Sequence, residues 1–102
     1  MVVSDGPKIQ GVPSSKEVRV GESVTVTCSA SGNPPVTSYV WRKSSNSSFV
    51  VSNATLLIDD VSVDDAGIYT CTATNYVIID DYQQAYSDIA SMEVFVLCKH
   101  LE

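Results

Sequence analysis

Residues 64–71 of the chain, Asp-Asp-Ala-Gly-Ile-Tyr-Thr-Cys, are the stretch that decides its fold. Successive side chains of a β-strand point to opposite faces, so Tyr69 and Cys71 share one face of the strand that begins here. Asp65 and Gly67 lie just upstream, where a turn must lead the chain into that strand. The pattern predicts a strand with an aromatic ring and a sulfur atom on its buried face.

Short β-rich runs separated by turn residues fill the rest of the chain. They recur about every ten residues and none keeps a helical period, which is typical of an all-β sandwich. Apolar and polar residues alternate within the runs, so one face of each strand is expected to be buried. The residues expected to face the core are Val24, Val26, Cys28, Tyr39, Trp41, Leu56, Ile58, Val61, Tyr69, Cys71, Met92, Val94 and Val96. The predicted strands are 7–11 continued by 18–20, 23–29, 38–43, 49–51, 54–59, 67–75 and 92–97.

Two cysteines, a tryptophan and one motif carry a family resemblance. Cys28, Trp41 and the Asp-x-Gly-x-Tyr-x-Cys motif that ends at Cys71 resemble the frame of the immunoglobulin superfamily over about residues 8–96. The resemblance implies an antiparallel β-sandwich of about seven strands. It also implies a disulfide between Cys28 and Cys71, Trp41 packed beside it, and a Tyr69 hydroxyl bonded to backbone a few residues upstream.

The interval between Trp41 and Leu56 indicates the subtype. It is too short for the two extra strands of a variable-type domain, so the pattern is similar to C2/I-type domains of cell-adhesion molecules and cell-surface receptors. In such a domain Asp65 and Gly67 have structural roles in the turn before Tyr69. None of the frame residues is expected to take part in catalysis.

Length and charge restrict the classes of partner. The 102 residues suffice for one domain, expected over residues 1–100 with a core of about 8–97, and Leu101–Glu102 is expected to be a cloning remnant. A net charge of −6 argues against nucleic acid and anionic membranes, both of which attract basic surfaces. No apolar run reaches the ~20 residues of a membrane span, and no signal peptide is visible. We therefore expect a larger parent protein, with any signal or anchor outside this stretch.

No pattern for enzyme chemistry or metal binding is present. His100 is the only histidine, and no nucleophile motif or glycine-rich phosphate loop occurs. Three isolated cysteines and one histidine lack the paired spacing of a zinc site. Asp80, Asp81 and Asp88 do not follow the spacing of a calcium loop. The sequence predicts neither catalysis, nor a cofactor, nor a metal.

The stretch from Asn75 to Asp88 is the most individual part of the chain. It is longer than the tight hairpin usual at this position and mixes apolar, aromatic and acidic residues. Tyrosines give large rigid contact areas with a polar tip, which suits recognition. We predict a partner-binding loop with contacts from Tyr76, Ile78, Asp80, Asp81, Tyr82 and Tyr86. The alternative is a hairpin that merely extends its strands, with Val77 and Ile79 covering the end of the core.

A second candidate surface lies on the outward face of the sheet that contains Cys71. Alternation places Val40, Thr70, Thr72 and Phe95 there, and the resemblance implies that this sheet often mediates adhesion between like or related domains. Val40 and Phe95 are the candidate contact residues. The alternative is ordinary exposed apolar side chains, which scatter over any protein surface.

Three further residues are candidates for covalent modification. Asn46-Ser47-Ser48 and Asn53-Ala54-Thr55 are acceptor motifs for N-glycosylation, which favours an extracellular protein. Cys98 is left over once Cys28 and Cys71 pair. It either forms a disulfide to another chain or to a neighbouring domain, or it is a free thiol or a chance residue of the domain boundary.

These observations predict an extracellular recognition or adhesion module, at the cell surface or secreted. Its partner would be a protein, with another copy of the chain as one option. The alternatives are a structural spacer without a ligand of its own, a soluble immune-type receptor, and an intracellular muscle-type domain of the same fold.

Overall fold

In the computed structural model, residues 5–98 form nine β-strands and one short 3-10 helix. His100 and the expected cloning remnant Leu101–Glu102 lie outside these residues. The strands are β1 (Asp5–Gln10), β2 (Ser15–Arg19), β3 (Val24–Thr27), β4 (Ser29–Asn33), β5 (Ser38–Lys43), β6 (Asn46–Val51), β7 (Thr55–Ile58), β8 (Gly67–Ile79) and β9 (Tyr82–Leu97), with the 3-10 helix at Val63–Asp65.

The strands form a sandwich of two layers. The large sheet has the order β2-β9-β8-β5-β6, and only its β2–β9 pair is parallel. The opposite layer consists of two antiparallel ribbons, β1-β4 and β3-β7. Counting β1 with β2 and β3 with β4 as single runs gives seven runs, so the predicted all-β sandwich is confirmed.

Two predicted strands are each divided. Residues 18–20 were expected to continue the first strand, but β1 pairs with β4 in one layer and β2 pairs with β9 in the other. The chain crosses between the layers after Gly11, whose φ of +83° favours glycine. The predicted strand 23–29 is interrupted at Cys28, whose amide bonds the Ala54 carbonyl between the two ribbons (2.8 Å).

The core lies between the layers and joins them covalently. Cys28 and Cys71 form a disulfide with a Cα–Cα distance of 6.6 Å. Trp41 is fully buried and its indole N–H donates to the Ala54 carbonyl oxygen at 2.9 Å, which satisfies the only polar atom of that side chain. Of the residues predicted to face inward, Tyr39 and Val96 are only half-buried and the others are buried.

The turn before β8 is built from the motif that decides the fold. The Asp65 carboxylate accepts the Ser62 backbone N–H at 2.8 Å and closes the start of the 3-10 helix. The buried Tyr69 donates its hydroxyl hydrogen to the Asp65 carbonyl oxygen. Gly67 has a φ of +139°, and a Cβ there would lie 3.3 Å from the Lys43 side chain. These contacts fix the direction in which β8 leaves the turn.

The molecule is elongated because β8 and β9 extend beyond the other strands of the sandwich. Its radius of gyration is 16.4 Å, against about 13 Å for a compact domain of 100 residues. β8 has 13 residues and β9 has 16, whereas no other strand has more than 6. The far end of this pair is where the sequence placed the recognition loop.

Candidate functional site

The predicted loop at residues 75–88 is a regular β-hairpin, so the loop prediction was wrong. β8 continues to Ile79, and β9 begins at Tyr82 after a turn of only two residues, Asp80 and Asp81. Both turn residues have positive φ, 50° and 67°, which is the backbone of the tight turns that match strand twist. The alternative prediction, a hairpin that extends its strands, fits the structure in part: Val77 is buried, but Ile79 is 48% exposed.

Alternation divides the predicted contact residues between two faces of this hairpin. Tyr76 and Ile78 lie on the outer face of the large sheet, opposite in parity to the buried Val77. Tyr82 pairs with Ile79 and Tyr86 pairs with Asn75, so both tyrosines lie on the inner face. The tyrosines of the predicted loop therefore do not form one surface.

The inner face is held to the rest of the sandwich by two side chains. The Asp88 carboxylate accepts the backbone N–H of Ile9 on β1 at 2.8 Å. Asn75 is fully buried and its amide donates to the Pro34 carbonyl oxygen at 2.9 Å. Sequence reasoning missed both roles, although the inward parity of Asn75, in line with Tyr69, was a usable signal.

The outer face of the large sheet, from Val40 to the hairpin tip, carries exposed apolar side chains in two groups. The row of Ser38, Thr74 and Ser87 separates Ile89 from Tyr76 and Ile78. Val40, Thr72 and Ile89 form one cross-strand row on β5, β8 and β9. Tyr76 is 43% exposed, Ile78 74% and Ile89 62%, whereas Val40 is half-buried. Sequence reasoning missed Ile89, which shares the parity of Phe95.

Hydroxyl groups fill the space around those apolar side chains. The Thr74 and Ser87 hydroxyls are hydrogen-bonded across β8 and β9 at 2.9 Å, and those of Thr70 and Ser91 at 3.2 Å. Outward residues from the Val40 row to the hairpin tip carry no formal charge; they are Ser38, Val40, Thr72, Thr74, Tyr76, Ile78, Gln83, Ala85, Ser87 and Ile89. We call this set the upper outer face.

Phe95 lies apart from the upper outer face. It is 44% exposed and pairs with Glu17 of β2, near the lower end of β9. Six residues of strand separate it from Ile89, or about 20 Å at the usual rise. Asp80 and Asp81, at the opposite extreme, are exposed at the hairpin tip. The predicted site residues thus span the full length of the sheet.

The candidate modification sites lie away from the hairpin tip. Asn46 and Asn53 are exposed, at the turn between β5 and β6 and in the connection from β6 to β7. Each accepts the backbone N–H of the residue two positions on, Ser48 and Thr55, at 3.0 and 3.1 Å. Cys98 is exposed just beyond β9, and its thiol is free.

Over residues 5–98, no three side chains of the metal-binding types are grouped in a way that could hold a metal ion. That part of the chain also has no helix long and apolar enough to cross a membrane. A shallow groove beside β1 and β4 is lined by Gly6, Lys8, Ser31, Gly32 and Asn33.

Comparisons with known proteins identify what this arrangement resembles. A family profile described as an immunoglobulin domain matches residues 6–75. Human Hemicentin-1 is 43% identical over 83 residues, which is 74% of this chain and 1% of Hemicentin-1. Kin of IRRE-like protein 1 from Rattus norvegicus is 43% identical over 68 residues, 66% of this chain and 8% of that protein.

A solved structure gives the same result in three dimensions. The N-terminal four Ig domains of Dscam1 isoform 7.44 match with a TM-score of 0.67 and 27% identity, over 86% of this chain and 20% of that one. In each of these comparisons the match occupies a small fraction of a much longer protein.

Proposed function

This chain belongs to the immunoglobulin superfamily, and from that premise we propose that it is an extracellular recognition or adhesion module that binds a protein partner. It would be one domain of a larger cell-surface or secreted protein. Its small share of the length of Hemicentin-1 and Kin of IRRE-like protein 1 supports this.

The upper outer face is the observation that carries the proposal. Tyr76, Ile78 and Ile89 expose apolar area on one face of the sheet. The outward residues from the Val40 row to the hairpin tip carry no formal charge, and Arg42 lies in the next row. Contiguous exposed apolar patches are uncommon on monomeric proteins, and the buried centres of interfaces are depleted in charged residues. Catalysis finds no comparable support, because this face brings no nucleophile and base together.

We propose three grades of contribution among the predicted contact residues. Tyr76, Ile78 and Val40 would contact the partner directly, together with Ile89. Asp80 and Asp81 would border the contact and favour a partner with basic residues nearby. Phe95 would belong to a separate lower contact, and Tyr82 and Tyr86 to the inner face.

A binding screen with matched variants tests the proposal. Fluorescent tetramers of the domain are applied to a panel of cells that each display one membrane protein. Ile89→Ser should reduce binding about fivefold to 150-fold, since losing a buried apolar side chain at an interface centre costs about 1–3 kcal/mol. Leu57→Ser is the control, because Leu57 is 55% exposed on the opposite layer.

Three outcomes would contradict this proposal or a part of it. Binding that Ile89→Ser and Tyr76→Ser leave unchanged would remove the upper outer face as the site. A wild-type domain that binds no member of the panel would favour the spacer without a ligand. Binding of glycans rather than proteins would favour a soluble immune-type receptor.

Extracellular placement has its own test. We propose N-glycans at Asn46 and Asn53, which would shield the β6 side and leave the hairpin bare. Secretion from animal cells should give two mobility shifts that glycosidase removes, with one lost in each of Asn46→Gln and Asn53→Gln. Unmodified protein with reduced Cys28 and Cys71 by mass spectrometry would instead support the intracellular muscle-type domain.

Cys98 belongs to the same set of proposals. Its exposure permits a disulfide to another chain. A dimer band on a non-reducing gel that disappears in Cys98→Ser would support that role. If the native monomer reacts quantitatively with a thiol reagent, Cys98 is a free thiol in the protein.

A further inference from the structure

We propose that two copies of this chain associate edge to edge, by antiparallel pairing of the free upper edge of β9, residues Tyr82–Ser91. This interface uses main-chain groups at a sheet edge. Four of its edge-directed residues also contribute side chains to the upper outer face, but the pairing uses their main-chain groups and does not depend on the function proposed above; they are Gln83, Ala85, Ser87 and Ile89.

The direction of the β9 backbone groups follows from one contact lower in the strand. Glu93 donates its N–H to the Ser14 carbonyl oxygen at 3.1 Å, on the side where β2 pairs with β9. Backbone groups alternate sides along an antiparallel strand, so odd-numbered β9 residues point to this edge and even-numbered ones to β8. The edge-directed residues above Glu93 are Gln83, Ala85, Ser87, Ile89 and Ser91.

No strand covers this edge above Glu93 in the part of the chain that the structure describes. β2 pairs with β9 only from Glu93 to Leu97, and β8 occupies the other side along its whole length. β1 lies behind the inner face, where the Ile9 N–H donates to the Asp88 carboxylate and a Cβ at Gly6 would lie 3.5 Å from the Tyr86 Cβ. A row of unpaired N–H and C=O groups remains, which is a template for another strand.

Apart from the inward-facing Asp88, whose carboxylate accepts the Ile9 N–H, the residues at this edge lack the features that usually prevent such pairing. Proteins protect edges with lysine, proline, bulges or very short strands. Tyr82–Ser91 contains no lysine, arginine, proline or glycine, and its register with β8 is unbroken. Three other edges differ: β1 has Pro7 and a register shift, β2 has Lys16 and Arg19, and β6 begins at a glycosylation motif. The far side of Tyr76–Ile79 is a shorter edge without such protection, because β5 pairs with β8 only up to Thr74.

A second copy fits this edge because the edge is complementary to itself. A two-fold axis at Tyr86 places Gln83 opposite Ile89 and Ala85 opposite Ser87 of the other copy, all edge-directed pairs that can exchange main-chain hydrogen bonds. On the inner face the two Tyr86 rings would meet. Asp88 would lie opposite an uncharged glutamine, so no like charges are paired directly.

The same register avoids the rest of the sandwich. Each hairpin turn would end opposite Ser91, two residues short of the point where β2 begins at Glu93. The contact involves about ten residues per copy, against about 20–30 in a standard stable interface. The net charge of −6 on each copy also opposes association. We therefore expect a weak dimer that forms reversibly at high concentration.

Sedimentation and amide hydrogen exchange of the intact chain test the proposal, with reducing agent present so that Cys98 cannot link copies. Sedimentation should show a reversible monomer–dimer equilibrium. On raising the concentration, amides of Gln83, Ala85 and Ser87 should gain protection, whereas those of Gln84 and Tyr86, already bonded to β8, should not change. The absence of any concentration dependence, or protection without this alternation, would overturn the edge pairing.

A proline variant separates the edge from the upper outer face. Ala85→Pro removes one edge-directed donor and should weaken the dimer at least about tenfold, with Ala85→Ser as the matched control. Tyr76→Ser changes the outer face on β8 and should leave the dimer intact. A dimer that survives Ala85→Pro but is lost in Tyr76→Ser would refute edge pairing and place self-association on the outer face. If Ala85→Pro does not fold, the hydrogen-exchange pattern of the unmodified chain tests the edge pairing by itself.

Discussion

Ionising the Tyr69 hydroxyl should unfold the domain more readily at alkaline pH. The ring is fully buried between the layers, and its hydroxyl donates to the Asp65 carbonyl oxygen, a bond that the phenolate cannot make. Burial raises the pKa of Tyr69 to about 12, and the nearby Asp65 carboxylate adds to this rise. In the unfolded chain a tyrosine has a pKa of about 10.

The sign of this pH dependence follows from how many protons the folded and the unfolded states bind. Between pH 10 and 12 the unfolded chain loses the Tyr69 proton while the folded domain keeps it, so the unfolded state gains stability as pH rises. The contribution is fully present below pH 10 and is lost as pH approaches 12. A difference of about 2 units corresponds to about 2–3 kcal/mol in the free energy of unfolding.

Urea unfolding of the wild type and Tyr69→Phe at pH 9 and near pH 12 measures this contribution. Phenylalanine keeps the ring beneath the Lys43 ammonium, 5.5 Å from the ring centroid, and removes only the ionisable hydroxyl. At pH 9 the variant should be less stable by about 1 kcal/mol through the lost hydrogen bond. Its stability should then fall less steeply with pH, so the difference between the two proteins should narrow or reverse. A constant difference across this range would refute the reasoning.

Three further changes have defined outcomes. Replacing Cys28 and Cys71 by alanine should lower the free energy of unfolding in urea by about 4 kcal/mol relative to the oxidised wild type, for a separation of 43 residues, and should give about the stability of the reduced wild type. Asp88→Ala should lower the free energy of unfolding by about 1–2 kcal/mol and speed hydrogen exchange of the Ile9 amide, which donates to the Asp88 carboxylate. Unchanged exchange would show that other contacts hold β1. The double change Asp80→Asn and Asp81→Gly should raise the free energy of unfolding by about 1 kcal/mol, because both positions have positive φ. A loss of thermal stability would contradict the turn geometry.

The lower two-thirds of the sandwich could be predicted from sequence because its signals are local and redundant. Cys28, Trp41 and Tyr69 fix one inward face, and alternation extends it along each strand. The division of the first predicted strand into β1 and β2 could not be predicted in the same way. A strand that changes layer keeps its alternation, and only Gly11 marks the crossing.

The hairpin was mispredicted for an identifiable physical reason. Asp80-Asp81 is not among the residue pairs that usually mark a two-residue turn, and its adjacent carboxylates suggest a solvated loop. Pairing over the whole length of β8 and β9 outweighs that local cost. Once the turn is known, alternation alone assigns Tyr76 to one face and Tyr82 to the other, so the error in the site followed from the error in the turn.

The rigid frame and the candidate site are parts of the same two strands. β8 carries Tyr69 and Cys71 in the core and, a few residues further on, Tyr76 and Ile78 on the outer face. The buried Asn75, bonded to Pro34, lies at the boundary between these two parts. Ordering the backbone of a flexible loop on binding costs about 1–2 kcal/mol per residue, and strand residues held in register have already lost that backbone freedom. The hairpin therefore holds the backbone of its candidate contact residues in a fixed arrangement, and we expect a partner to need less contact area to bind it than a mobile loop of the same sequence would require.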